Sequence, residues 1–144
     1  MVEVCLVSQS VIDKCGSSLI ARGRVSRDDV LKQLQITDFT VLLRSTVLRY
    51  AKAGFPTKVV ESLSTSTPVI CNITSDLGDY LINEQNSLIV EACNSESFEI
   101  TLRKALTLTY DEKQKMCYNA RKTAEREFDF KVFKNQFNNF LCEK

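Results

Sequence analysis

Histidine is missing from this chain, and several chemistries go with it. No Ser-His-Asp or Cys-His nucleophile can be assembled, and no His-ligated zinc. A general base would have to be a carboxylate, a lysine, a tyrosine or a thiolate. Charge of either sign is not in excess: the net charge is +1, so no strong electrostatic argument points to nucleic acid or an anionic membrane. No apolar run approaches membrane-spanning length, and the opening "MVEVCLVSQS" lacks the basic start and long apolar middle of a signal peptide. The six cysteines have no C-x-x-C spacing, so they are expected to be reduced, cytosolic and part of the packing. Glycine occurs four times and proline twice. With so few breakers, their positions carry information.

What is present fits one soluble α/β domain. The 144 residues are 44% apolar and 26% charged, enough for a single core. "VEVCLV" (2–7) and "SSLIAR" (17–22) read as short strands. "SRDDVLKQLQ" (26–35) reads as a helix: Ser26 is followed three residues on by Asp29, close to a capping box, and Val30, Leu31 and Leu34 share one face. "FTVLLR" (39–44) reads as a central strand of a parallel sheet. "PVICNI" (68–73) reads similarly, with its proline at the first position, where a missing N–H is tolerated. Ser75 or Asp76 could cap a short helix through Leu81, and "SLIV" (87–90) closes the strands. From about residue 95 to 144 the chain reads as helical. Its three stripes are Phe98–Leu102–Ala105–Leu106, Met116–Ala120–Ala124–Phe128 and Phe133–Phe137–Phe140–Leu141. Strand–helix alternation predicts a parallel sheet with right-handed crossovers and a helical cover. The C-terminal aromatics are expected in the core, not on a base-stacking platform.

One glycine and one proline fall together in "AGFPTKVVESLSTSTPVICN" (53–72). In open parallel sheets, ligands bind beyond the carboxyl ends of the strands. Arg44 ends one such strand, and residues 45–56 form the loop leaving it. Pro56 suits the first helical position, which would leave the amides of Thr57, Lys58 and Val59 free to hold an anion. Gly54 lets backbone approach a ligand closely. Val59, Val60 and Leu63 would face the core, with Lys58 and Glu61 on the other side. A cation near a diphosphate and a carboxylate accepting two ribose hydroxyls would suit a nucleotide diphosphate. Spacing alone also allows a solvated i, i+3 pair worth roughly 0.2–0.5 kcal/mol.

These residues, with "TSDLGDYL" and "NEQNSLIV" after them and "ARGRVSRDDVLKQLQITDFTVLLR" before, resemble the donor-binding, C-terminal half of a GT-B glycosyltransferase. The likeness is to the group 1 retaining type of bacterial polysaccharide and lipopolysaccharide assembly. "NARKTAEREFDFKVFKNQFNNFL" is similar to that family's closing helices. The resemblance implies a Rossmann-like parallel sheet with flanking helices that lacks its first strand, residues 1–144 forming one donor-nucleotide-binding domain. It implies hexose transfer from a nucleotide-diphosphate sugar to a saccharide or lipid-linked acceptor with retention, needing no metal or other cofactor. Glu61 would contact the ribose. Backbone of Gly54, Phe55, Pro56, Thr57 and Lys58 would contact donor sugar and diphosphate, Arg49 the diphosphate, and Val25 the base. Arg44 could bind ligand or pair with an acid.

The chain also departs from that pattern. The family's first glutamate falls on Ala53, and glycines fall on Ser8, Ser66 and Ser87. Ser66, just past a helix, is the position most in need of positive φ. No acceptor-binding half is present, so the partners implied are a nucleotide sugar and a missing N-terminal domain or separate chain. Nucleic acid is not expected. The location implied is the cytoplasm, with any contact to the inner face of the membrane made through the absent half. The isolated chain is expected to be inactive. A non-catalytic nucleotide-binding remnant, or one subunit of a split transferase, is the alternative.

Overall fold

The computed structural model describes residues 8–142; the strand expected over 2–7 lies outside them. The elements in chain order are α1 (Gln9–Cys15), α2 (Arg27–Gln35), β1 (Thr40–Leu42), α3 (Arg49–Ala53), α4 (Thr57–Ser64), β2 (Val69–Cys71), β3 (Ser87–Ile89), α5 (Ser95–Thr107), α6 (Tyr110–Glu127) and α7 (Phe130–Cys142). The three strands form a parallel sheet in the order β1-β2-β3, with Thr40 beside Val69 and Val69 beside Ser87.

The β-branched run at β2 is buried throughout, and its side chains alternate between two apolar clusters. Val69 and Cys71 join Val59 and Leu63 of α4, Leu77, Leu81, and Ala120 and Ala124 of α6. Ile70 joins Leu88, Val90, Ala105 and Met116. Both faces are therefore covered, as parallel sheets require. Burial pushes the Cys71 thiol up to about 12, so it stays neutral and serves as packing. Buried polar groups behind the sheet are paired. Ser62 Oγ donates to the Thr67 carbonyl at 2.8 Å, Thr67 Oγ1 to the Leu34 carbonyl at 2.7 Å, and Asn86 Nδ2 to the Tyr80 carbonyl at 2.9 Å.

Several expectations are met. Ser26 caps α2, its side chain accepting from the Asp29 amide. Ser66 adopts φ 64, so a serine does occupy a left-handed position there. Met116, Ala120 and Ala124 are buried as one stripe. Thr109 and Glu112 close a complete capping box at the start of α6, which the sequence reading had not singled out.

Others are corrected. "SSLIAR" forms no strand: Gly16–Ser18 is a 3-10 turn and the chain runs on irregularly, with Ile20 72% exposed. The segment has no described sheet neighbour to bury its apolar residues. β1 is an edge strand among the described residues, not a central one, and Val41 is 52% exposed. The short helix after Ser75 is only a 3-10 turn, Leu77–Asp79, with no side-chain cap. On α5 the buried positions are Thr101 and Ala105, while Leu102 and Leu106 are exposed. The aromatics of α7 are exposed, not core. Of the cysteines, Cys71 is buried but Cys15, Cys93 and Cys142 are exposed, so these three are not part of the packing. No described helix is long and apolar enough to cross a membrane.

Candidate functional site

The carboxyl edge of the sheet is organised by Asn72, which follows β2. Its Oδ1 accepts from the Arg44 amide and its Nδ2 donates to the Arg44 carbonyl, both at 2.8 Å. This two-point clamp fixes the backbone leaving β1. Arg44 Nη1 in turn donates to the Gly54 carbonyl at 2.8 Å, so the guanidinium braces the loop that precedes α4. Phe55, half-buried, anchors the same loop from its other side. Its ring meets Tyr80 edge-on at 5.5 Å and Phe128 at 5.5 Å, and Tyr80 and Phe128 lie 4.9 Å apart. Aromatic pairs in such geometries contribute about 0.5–1.5 kcal/mol each beyond their burial. The loop is thus held by an arginine and an aromatic trio.

α4 begins one residue later than the sequence suggested. Pro56 is its N-cap, extended at φ −79 and ψ 105, and Thr57 is the first helical residue. The Val59 amide is not free, because it donates to the Pro56 carbonyl at 2.9 Å. Of the three amides expected to be free, those of Thr57 and Lys58 remain, and both residues are exposed. Val59 and Leu63 are buried as expected, together with Ser62, while Val60 is half-buried.

Lys58 and Glu61 share one hollow of about 330 Å³, closed by Val30 and Leu34 of α2 and by Val41 and Leu42 of β1. A lysine and a carboxylate thus sit over an otherwise mostly apolar floor, the usual make-up of a small-molecule site. The hollow runs along β1 and reaches Thr40 and Val69, and a separate one of about 450 Å³ lies beside Asp38, Ser66 and Thr67. These three residues precede β1 and β2, at the amino ends of the strands, where open α/β sheets do not bind ligands.

The remaining expected residues are less closely joined. Arg49 is exposed at the first position of the one-turn helix α3, which replaces part of the expected loop. Val25 is half-buried just ahead of the Ser26 cap and does not line the Lys58–Glu61 hollow. Ala53 is exposed at the end of α3 and offers no carboxylate.

Sequence reasoning missed Asn72, Tyr80 and Thr74. Asn72 could have been found, since an amide one residue past a buried strand must satisfy its donors. Thr74 lies just beyond it, 6% exposed, and its Oγ1 is the buried side-chain polar atom without a partner among the described residues. A buried hydroxyl with nothing to bond is costly, and this one stands at the carboxyl edge. No group of three or more Cys, Asp or Glu among the described residues could hold a metal ion.

Comparison with known proteins places this geometry in context. The family model described as "Glycosyl transferases group 1" matches residues 14–123. Among solved structures, sucrose-phosphate synthase from Thermosynechococcus elongatus is similar, with a TM-score of 0.73 at 16% identity. The match covers 92% of this chain and 32% of that one, so the chain spans about a third of the length of that structure. No curated protein sequence gives a significant match.

Proposed function

Because the chain belongs to the group 1 glycosyl transferases, we propose that the amino end of α4 binds the diphosphate of a nucleotide sugar and that the domain serves hexosyl transfer with retention. In this reading the amides of Thr57 and Lys58 and the Lys58 ammonium hold the phosphates. Glu61 accepts from the ribose hydroxyls, backbone from Gly54 to Lys58 meets the sugar and diphosphate, Arg49 adds charge, and Val25 lies toward the base. Arg44 and Phe55 act by holding the loop. As the leaving nucleotide gains charge, amides and cations already fixed in place stabilise it without reorganising. No metal or other cofactor is invoked. The acceptor would be a saccharide or lipid-linked saccharide, supplied by a further domain or a separate chain.

The observation that carries this reading is the shared hollow of Lys58 and Glu61 beside an exposed helix start braced by Arg44. Its test is calorimetry with UDP and GDP on the wild type and on Glu61→Ala, with circular dichroism as a check on folding. A loss of at least about tenfold in affinity is expected for a removed charged hydrogen-bond acceptor. Unchanged affinity in a folded variant would remove Glu61 from the site. Arg49→Ala should weaken UDP more than uridine, and equal losses would deny Arg49 its diphosphate contact.

Ala53 favours a second reading, a nucleotide-binding remnant or one subunit of a split transferase. The family's carboxylate is absent there, and the exposed methyl cannot replace it. Adding a candidate acceptor half is the test, because restored transfer supports a working donor half, split or not, and its absence the remnant.

A further inference from the structure

The ladder between β1 and β2 ends in an irregularity. Thr40 donates to the Pro68 carbonyl, and Leu42 lies beside Cys71 in the last paired register. A parallel ladder repeats every two residues along a strand, so the next bond would take the Arg44 amide to the Asn72 backbone carbonyl. It goes to the Asn72 side chain instead, to Oδ1 at 2.8 Å, while Nδ2 donates to the Arg44 carbonyl at 2.8 Å. The strands part here, and one side chain spans the opening. Turn chemistry does not explain this asparagine. The non-glycine residues at positive φ among the described residues are Ser66, Ser75 and Glu84, and Asn72 bonds 28 residues away, not within its own loop. Solvation does not explain it either, because Asn72 is 4% exposed. The place demands a donor and an acceptor on separate atoms of one short group, which an amide has and a carboxylate lacks.

Taking the start of α4 as the diphosphate site, we propose that Asn72 is a positioning residue for it, raising affinity for a nucleotide diphosphate that it does not touch; this role rests on that assignment. Asn72 fixes both polar backbone atoms of Arg44, and Arg44 Nη1 holds the Gly54 carbonyl at 2.8 Å. Gly54 stands two residues before Pro56, the N-cap of α4. The line of contacts therefore crosses the sheet from the end of β2, through the end of β1, to the segment that carries the amides of Thr57 and Lys58. Groups fixed before a ligand arrives lose little freedom when it binds. Without Asn72, Arg44 is loosened at its root, and the loop must then be ordered as the ligand binds, which weakens binding.

Asn72→Asp keeps the size of the side chain and sets an oxygen where the donor faced the Arg44 carbonyl. Calorimetry with UDP on the full chain should show a loss of about tenfold in affinity, an ordinary coupling within one hydrogen-bond network. In nitrogen–proton correlation spectra without ligand, the amides of Gly54, Thr57 and Lys58 should shift while those of Leu88 and Met116 stay in place. Asn72→Ser, too short to span the opening, should do the same and guards against misfolding of either variant. Arg44→Met cuts the line at its second link, and combined with either substitution it should add little further loss. A merely structural role would lower the urea midpoint and leave the three amides and the affinity as they were. Unmoved amides, unchanged affinity in the folded variants, or losses that add in full each overturn the proposal. A wild type that binds neither UDP nor GDP removes the diphosphate site itself, and the role of Asn72 with it, whereas binding that survives both Asn72 substitutions overturns the role alone.

Discussion

Helices α6 and α7 follow one another with only Phe128 and Asp129 between them, and each carries an apolar stripe. On α6 the stripe is Met116, Ala120 and Ala124, all buried, and Ala120 and Ala124 cluster with Val59 and Leu63 of α4. On α7 it is a line of phenylalanines left in solvent. The difference lies in side-chain size and in what is within reach. Methyl groups let α6 approach α4 closely, so the stripe is covered as soon as the chain folds. The phenylalanines of α7 are bulkier, and both faces of the sheet already have their cover. Periodicity states that a face requires a neighbour; the rest of the molecule decides whether one is at hand.

That contrast can be broken most sharply by placing the same charge on both helices. Ala120→Glu would set a carboxylate with no partner against Val59 and Leu63, and should cost roughly 3–5 kcal/mol. Phe137→Glu should leave the stability of the monomer within about 0.5 kcal/mol. Urea denaturation of dilute protein measures both, and a cost below about 1 kcal/mol for Ala120→Glu would mean that α6 is not seated on α4 as described. A smaller effect sharpens the picture at the far end of α4. Ser66→Gly relieves a left-handed residue (φ 64) and should raise stability by about 1 kcal/mol, seen as a higher urea midpoint at unchanged slope. No gain would mean that the serine's own contacts offset its backbone.

The parts of the fold legible from the sequence were those governed by local rules. The Ser26 cap, the buried run at β2, the buried stripe of α6 and the left-handed turn at Ser66 all follow from residues within a turn or two of one another. Where neighbours decide, local rules failed. Residues 17–22 have a strand's composition but no described strand to pair with, and β1 has a central strand's composition at an edge. At the site, the placement of Lys58 and Glu61 along one side of α4 followed from helical spacing. The count of available amides did not, because Pro56 caps the helix and its carbonyl takes the Val59 amide. The brace from Arg44 to Gly54 was likewise hidden, since it spans ten residues and depends on Asn72, 28 residues from Arg44.

The edge position of β1 has a consequence for how the domain breathes. Thr40 donates to the Pro68 carbonyl, and with Thr40 beside Val69 the parallel ladder turns the N–H and C=O of Val41 away from β2. No described strand receives them. In deuterated water the Val41 amide should therefore exchange through small local openings, while that of Ile70, enclosed between two strands, should wait for the whole domain to open. Equal protection of the two would show that something covers the outer margin of the sheet after all.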